Sequence, residues 1–322
     1  MKHLLTKETA LAFAALAATA TLSRAQQDYP AKPIHFIATE VVGSATDIQA
    51  RIIAKGMAPL LGQPIEIENI FGEPGLQKAI KSAPDGYTVV YGGAGTLAIL
   101  PHIKKVSFDP LHDLTPVGRF VISPTLLAVN PMLPANNVQE LVALMKAHPG
   151  MLKMSTAGAG TAGHFAGEIF IAMSGIKPMV VHYNGGGPAI EAVVNNDSQW
   201  TVAPIGGRLP QVRAGKLKAI AIGSPERLAV LPDVPTVDES GYQGYNAVGW
   251  GGIFVPNGTP QPIIDKLNAT IAKAVMLPEV KKQFEEQGTE GASSTQAEMA
   301  RILRDEYAAY GQEAKKLGLS VN

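Results

Sequence analysis

Ile34–Ala54, IHFIATEVVGSATDIQARIIA, is the stretch on which the reading of this chain turns. Its pattern predicts a buried strand over Ile34–Ala38, a small-residue loop over Thr39–Thr46 and an amphipathic helix from Asp47. A strand–loop–helix junction directs unpaired backbone N–H groups and a positive helix end toward one point, where anions, carboxylates included, are stabilised. Neither G-x-G-x-x-G nor G-x-x-x-x-G-K-[ST] occurs, so a nucleotide phosphate is not indicated. Glu40 lies inside the loop, where an inward carboxylate would repel an anion. The favoured arrangement turns Glu40 outward and leaves the N–H groups of Gly43 to Asp47 for a carboxylate. In the alternative, Glu40 faces the site and accepts a hydrogen bond from an unusual ligand.

The same alternation continues outward from this segment. Ile65–Glu68, Tyr87–Tyr91, Leu126–Asn130, Met154, Val180–Val181, Thr201–Val202 and Leu217–Ile222 read as strands. Helical spacing appears over Val138–Met145, Phe165–Ala172 and Ala189–Val194. This predicts an α/β fold with parallel or mixed sheets and helices on both faces. Thr259-Pro260 reads as a cap followed by a first-turn proline, and Thr295-x-x-Glu298 as a capping box for a last helix through Leu317. Further Gly-rich loops follow strands at Gly92–Thr96, Gly158–His164, Gly185–Pro188 and Gly206–Arg208. Ligands of open α/β sheets sit outside the carboxyl ends of the strands, so these loops together mark a crevice.

Residues 1–25 read as an export signal: Lys2 and Lys7 form a basic start, Ala10–Leu22 an apolar run, and Ser23-Arg24-Ala25 a small-residue cleavage site. The apolar run is too short to span a bilayer comfortably. With zero cysteines, disulfides, lipid anchors and thiolate chemistry are excluded. Beyond the signal, the near balance of 27 basic and 27 acidic residues shifts only slightly acidic. Nothing in that charge points to nucleic acid or an anionic membrane.

Catalytic signatures are absent. The histidines show no H-E-x-x-H spacing and there is no G-x-S-x-G elbow, so neither a metal nor a catalytic residue is expected. Ser155 or Ser174 with His164 and Glu168 could be drawn as a triad, but proximity in sequence is no evidence for one. Arg208, in a Gly-rich loop, is either a bidentate carboxylate ligand or a solvated arginine. Trp250 reads as a core or hinge residue, or as a surface for ligand stacking.

Motifs spread over the mature chain carry a family resemblance. They include Leu61-Gly62-Gln63-Pro64, Ala83-Pro84-Asp85-Gly86-Tyr87-Thr88, Val129-Asn130-Pro131, Gly160-Thr161 with His164-x-x-Gly167-Glu168, and Leu231-Pro232-Asp233-Val234-Pro235-Thr236. The chain resembles the solute-binding proteins of tripartite tricarboxylate transporters, the Bug family of periplasmic receptors. The resemblance implies a periplasmic-binding-protein type II (Venus flytrap) fold, closing on a small carboxylate and delivering it to integral membrane permease subunits. It implies a periplasmic monomer without a cofactor. The expected division is residues 26–124 with 252–322 as one domain and 125–251 as the other, joined by two strands near 119–130 and 247–256.

The expected ligand-facing residues are Thr39, Glu40, Gly43, Ser44, Ala45, Thr46 and Asp47 of the first loop, and Ala94, Gly95 and Thr96 of the second. Ala159, Gly160, Thr161, His164, Tyr183, Ala203, Gly207 and Arg208 complete the set. The first loop departs from the family's usual P-F-P-A-G-G-G-T-D, with Glu40 at the aromatic position and Ser44 and Ala45 in place of glycines. Ala203 stands where relatives whose ligands carry an amine often have aspartate, which argues against an amino acid. Arg208 argues for a second negative group. The expectation is a dicarboxylate with an apolar or aromatic body. A hydrolase or lyase using the same crevice, or a domain feeding a membrane sensor, are the competing readings.

Overall fold

The computed structural model describes residues 29–319, so the expected signal segment lies outside the described residues. Ten strands form among the described residues: β1 (Ile34–Ala38), β2 (Ile65–Asn69), β3 (Thr88–Gly93), β4 (Leu114–Val129), β5 (Lys153–Thr156), β6 (Met179–His182), β7 (Trp200–Pro204), β8 (Lys218–Ile222), β9 (Val248–Pro256) and β10 (Glu290–Gly291). Their order is β2-β1-β3-β9-β4-β7-β5-β6, with β8 and β10 also paired to β4.

β1 runs parallel to β2 and β3, and β5 runs parallel to β6 and β7. Each parallel set is one lobe, and β4 joins them. Its Leu114–Pro124 stretch is antiparallel to β9, whereas Thr125–Val129 is antiparallel to β7. The two lobes therefore meet where β4 and β9 run side by side, as the two crossing strands expected from the sequence; β4 starts earlier than expected, at Leu114.

Burial on both faces explains the apolar continuity of these strands. Ile34 and Phe36 point into a core with Ile53 and Met57, while Ile37, one residue out of phase, joins Leu76, Leu97 and Phe254. In the second lobe Leu127 and Val129 meet Trp200 and Phe170, and Leu126 and Ala128 meet Ile190 and Ile222.

Several local readings shift. The first-loop helix begins at Ala45 rather than Asp47, because Ser44 caps it by accepting from the Asp47 N–H at 3.2 Å. The helix after Gly258 begins at Gln261, and Thr259 donates its hydroxyl back to the Pro256 carbonyl instead of capping. The Thr295–Glu298 capping box forms, and the last helix is Gln296–Lys316. Two predicted loops are partly helical: Ala94–Ile99 makes a π-helical turn, and Ile205–Gly207 a 3-10 turn. Helices over Glu73–Ile80 and Pro278–Glu286 were not legible as such in the sequence.

Candidate functional site

Between the lobes lies a cavity of about 830 Å³. Three helices begin on its wall: Ala45–Leu61 from the first lobe, and Ala162–Ser174 and Gly186–Val194 from the second. Their capping residues absorb only some of the first-turn donors. Ser44 accepts from Asp47 N and Ile48 N, so the N–H groups of Ala45 and Thr46 remain without a helical partner. Thr161 caps the second helix by accepting from the His164 N–H at 3.3 Å. Convergent helix N-termini make the local potential positive.

The lobes are closed on one another. A Cβ on Gly95 would stand 2.8 Å from the Ala162 nitrogen, and one on Gly160 would strike Leu100 at 2.4 Å. Gly185, at φ +102°, brings the second lobe against Val41, where a Cβ would come within 2.9 Å. Such approaches are open only to glycine.

Most of the expected residues come together here. Thr39, Glu40, Ser44, Ala45 and Thr46 line the cavity, as do Ala94, Gly95, Thr96, Ala159, Gly160, Thr161, Tyr183, Ala203 and Arg208. Four do not. Asp47 is buried and turned away, accepting from Gly43 N at 2.9 Å, Arg51 Nε at 2.9 Å and Asn69 Nδ2 at 2.9 Å. Burial opposes its ionisation, but the hydrogen bonds from Arg51, Gly43 and Asn69 hold it below the usual carboxylate range. Gly43 spends its N–H on Asp47, so neither end of the Gly43–Asp47 run is free for a ligand as expected. Gly207 does not line the cavity; a Cβ there would lie 3.5 Å from Ala45 N.

His164 is the fourth. Its Nδ1 accepts from Gly160 N at 3.2 Å, which leaves the ring hydrogen on Nε2, 3.5 Å from Glu168. It shapes the loop rather than touching the cavity. The triad drawn from sequence does not assemble: Ser155 donates to the Ala189 carbonyl and Ser174 to the Phe170 carbonyl. A hydroxyl–imidazole contact does exist between Thr156 Oγ1 and His182 Nδ1 at 2.7 Å, but Thr156 is fully buried and does not line the cavity. Among the described residues no group of three His, Asp or Glu side chains is placed to hold a metal ion.

Glu40 turns inward. The outward arrangement favoured from sequence is overturned because the Gly185–Gly186 turn of the second lobe closes over the first loop and encloses the side chain. Burial pushes the Glu40 carboxyl up to about 7, against the backbone N–H groups of Val41 and Gly186 and the Arg208 charge, which pull it down. Neither N–H meets Oε2 with full hydrogen-bond geometry, and that oxygen is sheltered from solvent.

Arg208 is not a solvated arginine. It is 3 % exposed, and burial lowers its guanidinium to about 10 although Glu40 favours the charge. Nη1 donates to the Pro204 carbonyl at 3.3 Å, while Nε and Nη2 are buried without partners. Each such orphaned buried group costs about 1–3 kcal/mol, more where it is charged.

Residues that sequence reasoning did not place here include Gln49, Tyr91, Ser123, Phe71 and Lys104. Tyr91 donates to Gln49 Oε1 at 2.7 Å, and Gln49 donates to Ser123 Oγ at 3.1 Å, a chain that runs from one lobe to the crossing strand. Gln49 sits one turn inside the first helix, and its position in the period was the available signal. Trp250 belongs to the first-lobe core, as one of its readings has it, and also lines the cavity, with its indole N–H donated to Glu306 at 2.6 Å.

Residues 49–319 match the family model described as tripartite tricarboxylate transporter family receptor. Protein BugT of Bordetella pertussis is 30% identical over 295 residues, 90% of each chain. Among solved structures, an R. palustris protein determined with adipate superposes with a TM-score of 0.88 at 28% identity, covering 91% of this chain and 99% of that one. MatC from Rhodopseudomonas palustris, determined with bound malate, gives a TM-score of 0.81 at 31% identity, covering 88% of this chain and 99% of that one. The periplasmic binding protein BugD gives 0.87 at 28% identity, covering 91% and 99%. These relatives are binding proteins with the same two-lobed α/β architecture, and the chain belongs with them to the tripartite tricarboxylate transporter receptors, as a solute-binding protein of the Bug type.

Proposed function

We propose that this receptor captures a small dicarboxylate with an apolar body in the interlobe cavity and performs no chemistry on it. The observation that carries the reading is Arg208: a buried guanidinium on the cavity wall with Nε and Nη2 unpartnered. A carboxylate is the group whose paired oxygens fit that fork. The N–H groups at the starts of the Ala45–Leu61 and Ala162–Ser174 helices supply further donors. Ala94, Ala159, Ala203 and Leu100 give the rest of the wall an apolar lining suited to a carbon skeleton. Adipate and malate in the solved relatives are of the same chemical class.

We infer the further parts of the reading from the sequence together with family membership. The chain is exported, cleaved near Ala25, works as a periplasmic monomer and hands its ligand to integral membrane permease subunits. Residues 26–124 with 252–322 and residues 125–251 act as the two moving units, hinged on β4 and β9.

Thermal shift of the mature protein against succinate, glutarate, adipate and phthalate tests the ligand class, with aspartate as the amine-bearing comparison. A ligand at 100 times its dissociation constant should add about 2.7 kcal/mol of stability. Dicarboxylates that leave the melting temperature unmoved while aspartate raises it would refute the assignment.

A further inference from the structure

The last helix, Gln296–Lys316, is fastened to the first lobe along one side. Met299 and Leu303 enter that lobe's core, Glu306 accepts the Trp250 indole N–H at 2.6 Å, and the Tyr307 carbonyl lies 2.8 Å from His102 Nε2. One turn on, a Cβ at Gly311 would stand 2.8 Å from the His102 ring, so the helix backbone rests directly on that histidine. Tyr310, Ala314 and Leu317 recur at the three- and four-residue spacing that shares one helix face. That face meets the second lobe. Ile99 of the first lobe, Phe165 of the second and Ala314 form one buried cluster, against which Tyr310 and Leu317 pack. The Tyr310 and Phe165 rings stand edge to face, 5.3 Å between centroids at 81°. Tyr310 also packs against the first-lobe core that holds Trp250, so one side chain joins the apolar interiors of both lobes.

The contact lies on the closing side of the molecule. Ala162 packs against the same cluster, and its nitrogen is the atom that a Cβ on Gly95 would approach to 2.8 Å. Lobes that part at Gly95 therefore also draw Phe165 from Tyr310 and return apolar surface to water, which is unfavourable in proportion to the area exposed. Neither ring lines the ligand cavity. We propose that Tyr310 is a positioning residue for closure: through Phe165 the last helix straps the lobes together and sets the share of molecules that are closed, and with it the affinity for every ligand, while touching none. The inference rests on the reading of the two lobes as moving units and is independent of the ligand's class. A ligand that needs the closed form binds with an apparent affinity scaled by the closed share, so a looser strap weakens all ligands by one common factor.

The chain has no cysteine, so Lys146→Cys on the second lobe and Lys282→Cys on the first, both exposed, take spin labels at defined places. Electron–electron resonance distances, measured without ligand and at a fixed sub-saturating concentration of succinate or adipate, read the closed share. Tyr310→Ala should lower that share and weaken both diacids equally, by about fivefold or more. Tyr310→Phe, which keeps the ring, should match the wild type. A closed share unchanged by Tyr310→Ala in every condition overturns the proposal, as does a loss of affinity that differs between the two diacids or that Tyr310→Phe reproduces. A single separation in all conditions overturns the reading of moving lobes and this inference with it. Absence of binding by both diacids refutes the ligand class alone, and the distances in the free protein still decide the role of Tyr310. Should Tyr310→Ala not fold, Leu317→Ser at the end of the helix tests the same face, with the same expectation and the same refutation.

Discussion

Glu40 and Arg208 both line the interlobe cavity, one on the first loop of the first lobe and one following β7 of the second, and each side chain holds a buried polar atom without a geometric hydrogen bond. They lie within Coulombic reach without forming an ion pair, and burial drives each toward its neutral form: Glu40 up to about 7 and Arg208 down to about 10. Closure of the lobes thus shelters two charges that the protein compensates incompletely. A ligand carboxylate that meets Arg208 converts part of that cost into closure-linked affinity.

Replacing Arg208 separates binding from folding. Arg208→Met keeps the apolar stem and removes the orphaned guanidinium. Affinity for the dicarboxylate should fall at least tenfold, about 1.4 kcal/mol. The melting temperature of the ligand-free protein should hold or rise, because an uncompensated buried cation has been removed. Calorimetric titration alongside thermal denaturation checks both halves; unchanged affinity refutes the role given to Arg208.

Closure depends on Gly95. Its Cβ position lies 2.8 Å from a backbone nitrogen of the opposite lobe, so Gly95→Val cannot be accommodated in the closed form by moving a side chain. The variant should fold, stay open and bind weakly. Small-angle scattering should show no compaction on adding ligand at concentrations that compact the wild type. Normal compaction would mean that the two lobes do not need this approach.

The raised carboxyls make stability fall with rising pH. Glu40 and Glu306 are both pushed up from 4.5 to about 7, chiefly by burial, so the folded state holds their protons more tightly than the unfolded chain does. Their stabilising contribution is complete below pH 4.5 and is lost as the pH rises through about 7. Arg208 and the Val41 and Gly186 N–H groups face Glu40; Arg119, Trp250 and Tyr310 face Glu306. Glu40→Gln with Glu306→Gln should flatten the melting temperature across this range. A double variant with the wild-type slope would place the titration elsewhere.

Trp250 ties the cavity to the last helix. Trp250→Phe preserves an aromatic ring in the core but deprives the Glu306 carboxyl of its indole donor at 2.6 Å. Leaving that group unpaired should cost about 1–3 kcal/mol, read as a lower urea midpoint with unchanged slope. Equal stability would show that Glu306 finds another partner.

Much of the architecture is legible in one dimension because it follows local period. Ile34, Phe36 and Ile37 declare a strand buried on both faces, and the helix after Ser44 and the Thr295–Glu298 box announce their own starts. The Gly-rich loops mark the strand ends where a crevice forms, and family motifs along the chain identify its kind. Local signals misplace individual roles where a side chain has two local options. Asp47 looks like a ligand residue at a helix start, yet three hydrogen bonds turn it into a brace for its own loop. His164 similarly serves the turn at Gly160.

The chain alone thus determined the strand–loop–helix frame at Ile34–Ala54, the two-lobed class and the presence of a carboxylate-seeking crevice, because each is written in residues close in sequence. The direction of Glu40, the burial of Arg208 and the Coulombic reach between the two were decided only by tertiary structure. Each depends on a lobe that the other residue belongs to, and the burial that shifts their charges exists only once the Gly185–Gly186 turn has closed over the first loop.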